Sequence, residues 1–247
     1  MSKKIPRRCA AGAAVVALTI GLTACGGGED KSTEKVDAPA APGVEQAARV
    51  LTQDELDGAV VDAHDLPGLS VEKVGGGAGS MGEGGVHARN GTDTHPAACA
   101  PISAALAGAS RYEPVGSVQR IAGRKGGSSV LTLVSYQAAD ATRVIDDLRT
   151  ALKACTAFRA GWTQATYKNL EVAGDPSLGE ESMSFRLTMV MEAGKNPLEV
   201  PMSVVIIRCG STVALFKRDS EPGTSATVPS DLVNAQSKAL DAAVRTR

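Results

Sequence analysis

The feature that most limits the fold is a series of alternating segments joined by short turns. Residues 116–123 and 129–136 alternate between apolar and polar side chains around the turn Arg-Lys-Gly-Gly at 124–127. Residues 200–209 and 212–217 are also predicted to be strands, rich in apolar side chains and joined by the short turn Cys-Gly-Ser at 209–211. A period of two predicts strands, and short turns make neighbouring strands antiparallel. A doubly wound parallel sheet, which needs a helix between consecutive strands, is therefore excluded.

Helical segments are predicted on either side of these hairpins. The strongest is residues 138–154, where apolar side chains recur every three or four residues. Thr52 and Glu55 have the spacing of a capping box at the start of another helix. Further helices are predicted at residues 52–63, 96–108 and 230–244, and further strands at residues 69–74, 163–172 and 181–191. We therefore expect an α+β fold with a mostly antiparallel central sheet packed against helices.

Composition argues against nucleic-acid binding. The chain of 247 residues carries 26 Lys and Arg against 27 Asp and Glu, and it has one Trp, three Tyr and three Phe. A near-neutral chain does not attract phosphates, and so few aromatic residues cannot build a stacking platform. We expect no nucleic-acid partner.

The N-terminal segment has the pattern of a bacterial lipoprotein signal. Four basic residues precede an uncharged run at residues 9–22, and Leu-Thr-Ala-Cys follows at 22–25. We predict that residues 1–24 are a signal peptide and that Cys25 carries the lipid. The alternatives are a plain secretory signal with a coincidental cysteine, or an uncleaved anchor helix.

The same pattern predicts where the protein is located and how it is divided. Residues 25–45 are rich in Gly, Ala, Pro and charge, which indicates a flexible tether. Residues 46–247 then form the α+β domain. We expect a lipid anchor on Cys25 to hold this domain at the extracytoplasmic face of the cell membrane.

Three cysteines lie within the predicted domain: Cys99, Cys155 and Cys209. Export would place them in an oxidising compartment, where disulfides persist. An odd number leaves one thiol free or paired between chains. Cys99 begins one predicted helix and Cys155 ends another, whereas Cys209 ends an apolar strand. We therefore predict a Cys99–Cys155 disulfide, with Cys209 buried and reduced.

A glycine-rich polar segment at residues 75–94 is predicted to be a loop without regular structure. Loops of this length in a compact domain are either functional or disordered. As a lid over a binding site it would contribute His87, Arg89 and Asp93. The alternative is an unconstrained insertion.

No pattern in the chain predicts catalysis, a metal site or a cofactor. The G-x-G-x-x-G match at residues 77–82 is not followed by a helix, and His64, His87 and His95 do not have a metal-ligand spacing. A G-x-S-x-G nucleophile elbow is also missing from the sequence. Four methionines either line an adaptable apolar groove or, as we favour, fill the core; they are Met183, Met189, Met191 and Met202.

Several stretches resemble one family of sensor domains. They are Asp-Leu-Pro-Gly at 65–68, Cys99-Ala100 at a helix start, the strand at 131–136, the helix end at 148–155 and the closing strands at 204–216. Together they resemble the sensor-type domain of actinobacterial lipoproteins, related to the extracellular sensor domain of mycobacterial Ser/Thr kinases. The resemblance implies an α+β sandwich with an antiparallel sheet, a groove, disulfides and ligand sensing. This chain departs from the family in lacking a fourth domain cysteine.

Two classes of function follow from these patterns. We expect a non-catalytic ligand-binding or sensor module at the cell surface, whose ligand is an unidentified small molecule, lipid or protein. With no kinase segment in the sequence, any signal would pass through a separate partner. The alternative is an enzyme acting on cell-envelope components. An apolar groove would favour binding, whereas two converging carboxylates or a histidine beside Cys209 would favour catalysis.

Overall fold

The computed structural model describes residues 49–74, 93–124, 126–161, 163, 165–192 and 196–245. They belong to one compact unit, Glu45–Arg247. The helices are α1 (Gln53–Gly58), α2 (Ala100–Leu106), α3 (Ala138–Ala154) and α4 (Ser230–Arg245), with a 3₁₀ turn at Ala97–Cys99. The strands are β1 (Ser70–Lys73), β2 (Thr94–His95), β3 (Gly116–Arg124), β4 (Gly127–Ser135), β5 (Phe158–Ala160), β6 (Ala165–Val172), β7 (Glu181–Met191), β8 (Leu198–Cys209) and β9 (Thr212–Asp219).

These strands form a single nine-stranded sheet in the order β1-β3-β4-β9-β8-β7-β6-β5-β2. Every strand pair in it is antiparallel. The α+β fold with an antiparallel sheet, predicted from the hairpin pattern, is confirmed.

Helices cover both faces of the sheet, and the alternation along each strand decides which face a side chain joins. On β8, Val204 and Ile206 belong to the core beneath α2 and α3. Ile207 and Cys209 belong to the opposite core, beneath α1 and α4. The two cores are therefore separated by the sheet itself, as the period of two requires.

Several predicted boundaries were wrong, and tertiary contacts explain the first. Helix α1 ends at Gly58 rather than near residue 63, because the side chain of Gln236 on α4 forms hydrogen bonds with the backbone that follows the helix. Its amide donates to Ala59 O (2.7 Å), and its carbonyl accepts from Val61 N–H (3.1 Å). These side-chain bonds satisfy groups that a longer α1 would have used internally.

Two strands were missed, and one helix was predicted as continuous. Strands β2 and β5 have two and three residues, too few for an alternating pattern to be recognised. The predicted helix at 96–108 is instead a 3₁₀ turn followed by α2. Residues 75–92 of the predicted loop lie outside the described residues, but Thr94 belongs to β2, so that part of the loop prediction was wrong.

The pair α2 and α3 lies side by side on one face of the sheet. A disulfide joins Cys99, just before α2, to Cys155, just after α3, so the two helices run in opposite directions. This is the pairing predicted from the sequence. Gly108 ends the α2 segment with φ +71°, where a Cβ would lie 3.2 Å from the Thr132 side chain of the sheet.

Among the described helices, none is both long enough and apolar enough to cross a membrane.

Candidate ligand-binding cleft

A concavity of the domain lies between α2, α3 and the segment that follows α2. Its volume is about 430 Å³. The buried floor comes from both helices and includes Ala104, Ala105, Val144, Leu148 and Ala151. A volume of this order lies within the range of roughly 300–1,000 Å³ that small-molecule sites occupy.

Small side chains are the reason that the two helices leave this space. Alanine occupies eight of the lining positions; these are Ala97, Ala98, Ala100, Ala104, Ala105, Ala109, Ala151 and Ala154. Because alanine ends at Cβ, the space that longer side chains would fill between the helices stays open. Val144, Leu148 and Ala151 recur at helical spacing along α3 and make the floor apolar over about two turns.

One end of the cleft is polar and centred on an ion pair. Arg111 Nε lies 2.9 Å from Asp147 Oδ2, and Arg111 Nη2 donates to Oδ1 (3.1 Å). The Tyr112 hydroxyl donates to Asp147 Oδ2 (3.1 Å) and accepts from Arg111 Nη2 (3.0 Å). The guanidinium also lies 5.2 Å from the centre of the Tyr112 ring. The hydrogen bond with Tyr112 and the charge of Asp147 raise the pKa of Arg111.

A serine fixes the loop that carries this cluster. Ser110 Oγ accepts from Tyr112 N–H (3.1 Å) and is hydrogen-bonded to the phenol of Tyr136. Tyr136 is buried on the sheet, and burial raises its pKa to about 12, so its phenol stays protonated at neutral pH. The polar end of the cleft is therefore joined by hydrogen bonds to the core.

The described residues that line the cleft do not form a recognisable catalytic site. Asp147 is the one carboxylate among these described residues, and none of them is a histidine. The described residues contain no group of three or more His, Cys, Asp or Glu that could hold a metal ion. The side chains present can hold an apolar molecule and offer hydrogen bonds at one end.

Cys209 lies in the opposite core and is buried and free, as predicted. Burial, together with the nearby Asp241 carboxylate, raises the pKa of its thiol to about 12. The Ser237 hydroxyl, which hydrogen-bonds to the sulfur, acts in the opposite direction. A thiol with this pKa stays protonated at neutral pH, which disfavours a role as nucleophile.

Of the other residues singled out from the sequence, Cys25, His87 and Arg89 lie outside the described residues. Asp93 is described, but it lies beside β5, where its carbonyl accepts from Gly161 N–H (3.0 Å), and it does not line the cleft.

Three of the four methionines fill or pack against the core, as the favoured prediction stated. Met183 and Met202 are buried beneath α2 and α3, and Met189 packs against the same core. Met191 is exposed at the end of β7. None of the four lines the cleft, so the alternative of a methionine-lined groove does not hold for this site.

Sequence reasoning missed Arg111, Tyr112 and Asp147. Arg111 and Tyr112 lie in the connection between α2 and β3, and Asp147 is 36 residues further along the chain from Arg111. The only local sign was an acidic residue beside the apolar stripe of α3, which ordinarily marks a solvated helix face.

A second concavity of about 890 Å³ lies where β4 begins and β9 ends, and it is open and polar. Its two basic residues are already bonded to backbone carbonyls. Lys217 Nζ donates to Leu106 O (3.3 Å), and Arg218 Nη2 donates to Gly126 O. It is therefore the weaker candidate for a ligand site.

Comparison with known proteins adds no functional assignment. No protein-family model matches the chain, and no curated protein matches it in sequence. Among solved structures, the chain is similar to the extracellular domain of PknH from Mycobacterium tuberculosis. The similarity covers 79% of this chain and 98% of that chain, with a TM-score of 0.45 and 9% sequence identity. Function must therefore be argued from the cleft itself.

Proposed function

We propose that the domain is a non-catalytic binding or sensor module whose small-molecule ligand occupies the cleft between α2 and α3. The observation that carries this proposal is the combination of an apolar floor with one bonded polar cluster, Arg111, Tyr112 and Asp147. Ligand sites are typically concave and mostly apolar, with a few placed polar groups that set orientation. The cleft meets each of these criteria.

Filling the cleft tests this function. The double variant Ala104→Leu with Ala154→Leu places larger side chains at one buried and one exposed position of the cleft lining. The control Ala139→Leu adds the same side chain at an exposed α3 position that does not line the cleft. Binding of the apolar dye Nile red to residues 26–247 is measured by fluorescence. We expect the filled variant to bind at least about tenfold more weakly, since overpacking excludes the dye, and Ala139→Leu to bind normally.

Circular dichroism and thermal unfolding verify that each variant is folded before binding is compared. Absence of dye binding by the unmodified domain, or equal binding by the folded filled variant, would contradict the proposed function.

We also propose that the protein is a lipoprotein, anchored through Cys25 at the extracytoplasmic face of the cell membrane. The basic segment, the uncharged run and the Leu-Thr-Ala-Cys box at 22–25 support this proposal. The Cys99–Cys155 disulfide agrees with an oxidising compartment. Export in this form would expose the cleft to molecules of the cell envelope.

Mass spectrometry of the membrane fraction tests the anchor. We expect a mature N-terminus at Cys25 that carries a diacylglycerol group, and we expect Cys25→Ala to lose this modification and leave the membrane fraction. Cys9→Ala is the matched control, because Cys9 lies within the predicted signal peptide. An unmodified Cys25 in the mature protein would refute the anchor but would not affect the proposed role of the cleft.

A further inference from the structure

We infer that the ligand of the cleft is a single-chain fatty-acyl molecule, whose aliphatic chain lies on the alanine floor and whose acyl oxygen accepts a hydrogen bond from Arg111. This inference rests on the proposed function and names the chemical class of the ligand.

The position of the Arg111 guanidinium gives the first reason. Its Nε and Nη2 face the two oxygens of Asp147, and Nη2 also donates to the Tyr112 hydroxyl. A bidentate pair of this kind holds the planar guanidinium in one orientation. Within the described part of the chain, Nη1 donates to no other group, and the side chain is 59% exposed. A ligand oxygen can therefore be bound without breaking the Asp147 pair.

The floor of the cleft gives the second reason. Among the described residues that line the cleft, Thr150 is the one outside the polar cluster and Ser110 whose side chain carries a hydrogen-bonding group. A sugar or nucleotide needs several polar partners for its hydroxyl groups, because a buried polar group without a partner is costly. An aliphatic chain needs none. It gains free energy in proportion to the apolar area that it buries.

The lining residues also disfavour a flat aromatic ligand. Tyr112 is the one aromatic side chain among the lining residues that the structure describes, and one face of its ring is already covered by Arg111. The volume of about 430 Å³ lies in the lower part of the usual range for ligand sites. These properties favour one narrow flexible chain over a ring system or a partner helix, whose diameter with side chains is about 10–12 Å.

The charge balance at the polar end leaves two sources for the acyl oxygen. Because Asp147 neutralises Arg111, the site does not require a full negative charge on the ligand. A free fatty acid and a neutral acyl ester both offer the carbonyl oxygen that Arg111 would bind. The shared chemistry is an acceptor oxygen at the end of an aliphatic chain.

Displacement of Nile red from residues 26–247, which lack the acylation site, tests the inference. The competitors are decanoate, methyl decanoate and decane, which share one chain length and differ in the head group. We expect decanoate, methyl decanoate or both to displace the dye at least about tenfold more effectively than decane, because only they accept a hydrogen bond from a charged donor. A preference for decanoate assigns the site to free fatty acids, and equal binding assigns it to the acyl carbonyl.

A matched pair of variants tests the role of Arg111. We expect Arg111→Gln to weaken binding of the preferred acyl compound about tenfold more than it weakens binding of decane, which accepts no hydrogen bond. Arg143→Gln is the matched control, because it removes an arginine from an ion pair on the exposed side of α3, where Arg143 lies 3.1 Å from Asp140. We expect this variant to bind the acyl compound and Nile red as the unmodified protein does.

The possible failures can be distinguished. If Nile red does not bind in the cleft, the proposed function is wrong, and this inference fails with it. If Nile red binds but neither acyl compound surpasses decane, or Arg111→Gln binds the acyl compound normally, only the ligand class is wrong. The cleft would then belong to another occupant, such as a purely apolar molecule or a partner helix.

Discussion

At the scale of single residues, buried hydroxyl groups differ sharply in how well they are satisfied. Thr132 and Thr212 are both fully buried in neighbouring strands. Thr132 Oγ1 accepts a hydrogen bond from Gln119 Nε2 (3.1 Å). Thr212 Oγ1 has no hydrogen-bond partner among the described residues, and neither does Ser135 Oγ, which lies opposite it in the register. An unsatisfied buried hydroxyl costs free energy that its isosteric apolar replacement does not.

We predict opposite effects for one substitution at these two threonines. Thr212→Val should leave the free energy of unfolding unchanged or raise it by up to about 1 kcal/mol, because it removes an unsatisfied group. Thr132→Val should lower it by about 1 kcal/mol, because Gln119 loses its acceptor. Urea unfolding followed by circular dichroism measures both. A loss for Thr212→Val as large as that for Thr132→Val would show that the Thr212 hydroxyl has a partner.

At the scale of elements, the disulfide is the covalent link between α2 and α3. Cys99 and Cys155 are 56 residues apart in sequence, and both are buried. A cross-link that closes a long loop restricts the unfolded chain more than the folded one. It also ties together the ends of the two helices that form the cleft.

We predict that Cys99→Ala with Cys155→Ala lowers the free energy of unfolding by about 4 kcal/mol in the chain-entropy model. Cys209→Ala is the control, since it removes a buried sulfur but no cross-link, and it should cost about 1 kcal/mol. Chemical unfolding without reductant gives both values. If the double variant and Cys209→Ala lose similar amounts of unfolding free energy, the cross-link adds little to the stability of the domain.

At the scale of the whole molecule, a group of ion pairs joins one helix to the sheet. Glu181 of β7 accepts from Arg208 Nε of β8 (2.5 Å) and from Arg149 Nη1 of α3 (2.5 Å). Burial acts to raise the pKa of Glu181, but the hydrogen bonds and charges of the two arginines outweigh it, and the pKa is lowered from its usual value of 4.5. The folded protein therefore favours the ionised carboxyl group.

We predict that this group contributes to acid sensitivity. Because Glu181 has a lower pKa when folded than when unfolded, its stabilisation is fully present above pH 4.5 and is lost as the pH falls through the folded-state pKa. Glu181→Gln should be less stable than the unmodified protein by about 1 kcal/mol at neutral pH, with a difference that disappears in acid.

Unfolding by urea at a series of pH values measures this difference. Glu72→Gln, an exposed position on the edge strand β1, is the control and should follow the unmodified protein at every pH. A Glu181→Gln deficit that persists unchanged in acid would contradict the electrostatic origin of the effect.

Much of the secondary structure was predictable because it depends on local periodicity. Helix α3 and strand β7 match their predicted ranges, and Thr52 forms the predicted capping box with Glu55. The disulfide pairing was also predictable, from the placement of Cys99 and Cys155 at helix ends. Strands β2 and β5 were missed, because a strand of two or three residues has no readable period and depends on its neighbours for pairing.

The sequence by itself determined the fold class, because side-chain alternation and turn chemistry act between residues close in the chain. It did not determine the cleft. Alanines that look like ordinary helix formers become a floor only when α2 and α3 lie side by side. Arg111 and Asp147 meet only through that packing, because contacts between residues 36 positions apart depend on how the elements are arranged and have no local pattern. Tertiary structure therefore decided where a ligand can bind, and sequence decided only which elements were available to build the site.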